Sequence, residues 1–182
     1  MSSMHMTHVS IFQVLDCFWG LASTDFDTRI ENAKKLKAFC AEEESKLEQP
    51  TVLQLRGEDG EHAKDEEAIS CSKTTEYSLN RLFQGLSSTR KDARLGFSLG
   101  LSSLVELVAS QNKNSQAWRR LLRYLRGCFA HKDGQDVIGH VFGIGSLVSS
   151  TCAVPDDCIL DLVDDLVDLF FAKSFVRQAC GK

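Results

Sequence analysis

The chain has only two prolines in 182 residues, Pro50 and Pro155, and both stand at segment edges. Long proline-free stretches suit helices, which an internal proline kinks or breaks. Valine, isoleucine and tyrosine do not gather into alternating runs, so strands have little support. None of the seven cysteines is spaced C-x-x-C, and no histidine pair stands near one at zinc spacing. That excludes the common zinc frameworks, and the odd number argues against a full set of disulfides. The cysteines lie mostly in apolar helical contexts and read as reduced thiols filling a core in a reducing compartment. The opening "MSSMHMTHVS" lacks the basic-then-apolar order of a signal peptide. The apolar stretch near 137–148 is interrupted by His140 and three glycines, too short and broken to cross a bilayer. A soluble, intracellular protein without a membrane partner is expected. Neither a phosphate-cradling glycine loop nor a Ser/His/Asp or Cys/His constellation can be picked out, so no cofactor and no small-molecule substrate is expected. A basic import signal is missing as well.

What is present is segregated charge. The formal net charge of −4 hides an acidic first part, a basic centre over 81–132 that holds ten Lys/Arg against only Asp92 and Glu106, and an acidic end. A basic centre between acidic flanks can attract a polyanion locally while the whole chain stays acidic.

Apolar periodicity predicts seven or eight helices joined by short polar turns. The first covers Val9–Leu21 and is apolar around most of its circumference, so it packs between neighbours. Ser23 or Thr24 caps the second, which runs to about Lys46 on a stripe that includes Phe26, Ile30 and Ala33. Residues 47–73, with Pro50, two glycines and many acids, read as a flexible acidic loop. Thr74 or Thr75 caps a third helix that ends at Gly85, where a positive φ is expected, and Ser87 or Ser88 caps the fourth. Ala117–Phe129, Asp136–Ser150 and Pro155 to about Lys173 follow, then a short tail helix "SFVRQAC". The expected fold is all-α: antiparallel helical hairpins in a single domain over 1–182. Either a closed bundle or an armadillo/HEAT-like solenoid segment fits, since repeat units of about 40–47 residues suit the spacing.

Two basic features are binding candidates. Arg90, Lys91 and Arg94 stand at the start of the fourth helix, where the macrodipole disfavours positive charge. They either bind phosphate or an acidic partner, or bond carbonyl ends and carboxylates of adjacent helices. The stronger candidate is "AWRRLLRYLRG": Arg119, Arg123 and Arg126 fall at i, i+4 and i+7, with Arg120 beside them and Lys113 and Lys132 at either end. Three readings stay open for this face: a nucleic-acid backbone or acidic partner, the acidic loop of the same chain, or plain solvation. The last long helix carries Asp157, Asp161, Asp164, Asp165 and Asp168. Grouped aspartates can hold Mg²⁺, but Leu160, Val163, Val167 and Phe170 read as an ordinary core stripe beside them, and no partner cluster accompanies them. They read as an acidic solvated or partner-facing surface, and no metal site is assigned.

The stretch "YSLNRLFQGLSSTRKDARLGFSLGLSSLVELV" (Tyr77–Val108) resembles the N-terminal signature of the DNA polymerase V family, also called the DNA polymerase phi or Myb-binding protein 1a family. The matching positions are Arg81-Leu82, Gly85-Leu86, Ser88, Arg90, Ala93-Arg94 and Gly96-Phe97. "DVIGHVFGIGSLVSS", "LVDLFFAKSFVRQACG" and "FWGLASTDFDTRIENAKKL" resemble three further family segments, with His140, Phe175 and Gln178 departing from the usual residues. The resemblance implies the N-terminal part of a longer helical-repeat protein of the nucleus and nucleolus. Its implied role is non-catalytic: ribosomal RNA transcription, pre-ribosome assembly and transcriptional regulation, with rDNA, pre-rRNA, transcription factors or pre-ribosomal proteins as partners. A DNA polymerase, as the family name implies, and a protein-only adaptor for transcription factors are the alternatives.

Overall fold

The computed structural model describes residues 3–46, 51–52, 70–111, 115–129, 134–150 and 154–172. Among them are seven helices: α1 (Ser3–Leu21), α2 (Phe26–Ser45), α3 (Lys73–Gly85), α4 (Lys91–Gln111), α5 (Ser115–Cys128), α6 (Gly134–Val148) and α7 (Asp156–Ala172). Two two-residue strands, β1 (Thr51–Val52) and β2 (Ser70–Cys71), pair antiparallel at the feet of the acidic loop. The rest of that loop, Lys113, Lys132 and the expected tail helix lie outside the described residues.

Two helix caps fall one to three residues from where the sequence places them. Asp25, rather than Ser23 or Thr24, caps α2: its side chain accepts from the Thr28 amide at 2.7 Å. The Ser23 hydroxyl instead accepts from the Asp25 amide. Ser72, rather than Thr74 or Thr75, caps α3 by accepting from the Thr75 amide at 3.1 Å. In each case a side-chain oxygen answers an amide that the first helical turn leaves without a partner.

Side-chain contacts place the helices in two rows. Arg29 of α2 faces Asp92 of α4 at 3.6 Å, and Lys37 faces Glu106 at 2.6 Å. Further along, Arg94 of α4 lies over the Phe142 ring of α6, and the Ser98 and Ser146 hydroxyls meet at 2.7 Å. Rising numbers meet rising numbers, so α2, α4 and α6 run parallel. In the second row, Tyr124 of α5 bonds Asn80 of α3, and α5 packs in turn on α7. The two rows share one core, with Leu36, Leu79, Leu82, Phe83, Leu101, Leu104, Leu121 and Leu125 fully buried.

α4 lies in the middle of this core. By length and composition it could cross a bilayer, unlike the stretch singled out in the sequence, but here it packs against α1, α2, α3 and α6. Its glycines explain how closely it does so. A Cβ on Gly96 would overlap the Leu21 carbonyl oxygen of α1 and reach 3.0 Å from Arg29 Cδ, while one on Gly100 would touch Leu21 and Leu82 at 3.0 Å. Gly85 ends α3 without a positive φ: the cap residue Leu86 is in the ordinary right-handed region, at φ −65° and ψ −26°. Its lack of a side chain serves packing instead, since a Cβ there would lie 2.5 Å from the Phe97 ring.

Two apolar expectations are reversed. Phe26 is exposed rather than part of the α2 core stripe. On α7 the buried positions are Cys158, Leu162 and Leu169, with Leu166 half-buried against them, whereas Leu160, Val163 and Val167 are exposed. α7 has apolar residues around much of its circumference, so periodicity alone does not say which side meets the core.

Candidate functional site

The basic corner is built from three arginines reaching for carbonyl oxygens. Arg29, buried in α2, donates to Ser23 O at 2.8 Å and Thr24 O at 2.9 Å. Arg90, just before α4, donates to Ala22 O at 3.0 Å, and Arg94 donates to Ser88 O at 2.6 Å. Ala22 O lies at the C-terminal end of α1, where the helix dipole is negative and its carbonyls have no helical partner. The cations that look misplaced at the start of α4 therefore serve the end of α1 and the turn between α3 and α4. Lys91 is exposed.

The arginine stripe meets α7. Arg119 donates from Nε at 3.1 Å and from Nη2 at 2.5 Å to the same Asp157 oxygen. About two turns further on, Arg126 Nε reaches both Asp165 oxygens at 2.9 and 3.0 Å. Its Nη2 bonds the Asp161 carbonyl at 3.3 Å and lies 3.6 Å from the Asp161 carboxylate. Arginines at i and i+7 on α5 thus face aspartates at i, i+4 and i+8 on α7, and the order of pairing makes the two helices parallel. Below this charged seam the apolar sides of the helices close, with Trp118, Leu121, Leu122 and Leu125 buried on α5.

The remaining members of the predicted face separate. Arg123 is exposed, whereas Arg120 is buried and points into the domain. His140 of α6 stacks on Phe129 and lies 3.7 Å from Asp165, at the inner edge of the seam. The Arg119 hydrogen bond holds the Asp157 carboxyl below its usual range, and the reciprocal bond raises the already high Arg119 value. The Arg126 value is likewise raised, first by its bond to Asp165. Because the Arg119 and Arg126 side chains keep about half of their surface in water, each ion pair is a modest contribution that salt screens further.

Each stripe is visible in the sequence, but their complementarity is not, because side chains more than thirty residues apart meet only through the fold. Among the described residues the partner of Arg119 and Arg126 is α7; the acidic stretch 57–67 lies outside them. This also gives Asp157, Asp161 and Asp165 a structural task that requires no metal. The described cysteines are free. Burial raises the Cys40 thiol to about 11 and the Cys71 thiol further, as expected of core residues rather than nucleophiles.

Residues 77–182 match the family model described as DNA polymerase phi. The chain is 30% identical over 122 residues to the rDNA transcriptional regulator pol5 of Schizosaccharomyces pombe, an overlap of 63% of this chain and 12% of that protein. It is 29% identical over 132 residues to the rDNA transcriptional regulator POL5 of Saccharomyces cerevisiae, covering 57% of this chain and 13% of that protein. The chain therefore spans about an eighth of the length of these curated relatives. No solved structure matches it.

Proposed function

Because this chain belongs to the DNA polymerase phi family, we propose that it is a non-catalytic helical scaffold supporting ribosomal RNA transcription, and with it pre-ribosome assembly, in the nucleus and nucleolus. The reading draws on the two relatives named as rDNA transcriptional regulators. The structural observation that carries it is the pair of parallel helix rows, α2–α4–α6 and α3–α5–α7, in which each hairpin packs on the next. We read such a stack as part of a solenoid, and solenoids work through extended faces that hold other macromolecules. Residues 1–182 are read as one such segment, with the acidic loop 47–73 inserted between its first two hairpins.

The surface proposed to meet rDNA, pre-rRNA or acidic segments of transcription factors and pre-ribosomal proteins comprises Arg119, Arg123 and Arg126, extended by Lys113 and Lys132. Arg90, Lys91 and Arg94 form a second basic corner, and Arg120 supports α5 from inside. A phosphate can exchange with the α7 carboxylates at Arg119 and Arg126 because both guanidinium side chains keep about half of their surface in water. The test is fluorescence anisotropy of the purified chain with duplex rDNA and structured rRNA over a salt series. Binding that falls steeply with salt and drops at least tenfold in Arg123→Glu, with unchanged circular dichroism, supports a nucleic-acid face. Binding to neither nucleic acid leaves the scaffold with protein partners alone. Mg²⁺-dependent nucleotide incorporation by the purified chain would instead establish the polymerase alternative.

A further inference from the structure

α7 has a second face that nothing in the chain's described residues uses. Leu160, Val163, Val167 and Phe171 are 67%, 48%, 47% and 70% exposed, respectively. They recur at intervals of three and four residues, so they form one continuous stripe along the helix. Soluble monomers rarely leave such an apolar stripe open unless something binds it. Along one edge of the stripe run Asp164 and Asp168, both exposed and both without an ion-pair partner among the described residues. The aspartates one step further around the helix, Asp157, Asp161 and Asp165, are the ones answered by the arginines of α5.

We propose that this outer face of α7 is a docking site for an amphipathic helix of a partner protein, one that carries a row of Lys or Arg beside its apolar stripe. The molecule itself displays the complement. α5 lays an apolar side and arginines at i and i+7 against the inner face of α7, which offers Cys158, Leu162 and Leu169 beside three aspartates. The outer face repeats that offer, with an apolar stripe bordered by aspartates. An occupant there stands to α7 as α7 stands to α5, continuing the row α3–α5–α7. Charge also decides against a second copy of this chain. α7 contains six aspartates and no basic residue, so two copies meeting face to face would bring like charges to one seam. Helix-in-groove recognition of this kind uses anchors at i, i+3 or i+4, and i+7, spacings that the stripe matches.

The inference stands on α7 alone and does not require the role in ribosomal RNA transcription. Its test uses the full 182-residue chain and two fluorescein-labelled synthetic helices. Both carry leucines at i, i+3 and i+7; one has lysines and arginines flanking them and the other has glutamates. Anisotropy titration at about 0.1 M salt is expected to show the basic helix binding at least tenfold more tightly than the acidic one. Val163→Ser/Val167→Ser should weaken binding at least tenfold. Asp164→Lys/Asp168→Lys should reverse the preference between the two helices. All four positions are exposed, and circular dichroism checks that both variants remain folded. Equal binding of the two helices, no binding of the basic helix, or sedimentation of the chain as a dimer dispersed by Val163→Ser/Val167→Ser would each overturn the proposal.

Discussion

Replacing Gly96 with alanine should destabilise the fold, although alanine is the better helix former. Gly96 lies inside α4, where it crosses the end of α1, and a Cβ there would overlap the Leu21 carbonyl oxygen and crowd Arg29 Cδ at 3.0 Å. The carbonyl belongs to a helix end and cannot swing aside as a flexible side chain can. Relief requires α1 and α4 to part. A gap of only about 0.5–1 Å forfeits a quarter to a half of each affected packing contact. The contacts at stake include Leu21 with Gly100, Phe18 with Phe97, and the Arg90 bond to Ala22 O. Overpacking of this sort costs about 3 kcal/mol, the upper end of its usual range. Alanine's helix preference offsets about 1 kcal/mol of that. The net loss of about 2 kcal/mol corresponds to a fall in Tm of roughly 4–8 °C for a domain of this size. The comparison variants are Gly127→Ala and Gly145→Ala, since a Cβ at either position meets nothing within 4 Å. Those two should gain about 0.5–1 kcal/mol. Urea and thermal unfolding followed by circular dichroism at 222 nm gives all three values. A Gly96→Ala protein as stable as the Gly127→Ala protein would refute the close crossing of α1 and α4.

Other parts of the structure make their own predictions. A double-mutant cycle of Arg126→Ala and Asp165→Ala should return a coupling of about 0.5–1 kcal/mol that shrinks with added salt; a cycle with no coupling would place the two helices differently. Ser72→Ala removes the buried cap of α3 and should cost about 1 kcal/mol, measured by urea unfolding. Asp157 is held below the usual carboxylate range by Arg119, so its contribution is present above the unfolded-state value and is lost as the pH falls through the lower folded value. An acid titration of stability should therefore fall off less steeply in Arg119→Ala than in the parent. Native Cys40 and Cys71 should resist a thiol reagent at pH 8 and react only on unfolding; fast native labelling of either would contradict its burial.

The helices themselves were legible because their apolar residues recur with helical spacing and turns such as Gly85–Ser88 interrupt them. The inner side of α5 was legible too, since Arg119, Arg123 and Arg126 mark the outer side, although Arg120 is buried. Three kinds of feature were not. Caps moved by one to three residues because several oxygen-bearing side chains stand together at each start, and only geometry selects Asp25 over Ser23 or Ser72 over Thr75. The burial of α7 was read on the wrong side because its apolar residues cover both faces, so the presence of α5 rather than periodicity decides that Leu162 is inside and Leu160 outside. The charged seam was hidden because pairing between α5 and α7 is a tertiary match between two stripes that each look solvated alone. Gly85 illustrates the same limit: its position at a helix end suggested a backbone role, and the Phe97 ring packed against it supplies the actual one.

The claim on which the functional account rests is that this chain acts at ribosomal DNA as a binding scaffold. The most direct measurement is chromatin crosslinking of the tagged chain, mapped across the rDNA repeat and compared with genes transcribed elsewhere in the genome. The account predicts enrichment over the transcribed rDNA. A uniform profile, or a chain found outside the nucleus, would contradict it.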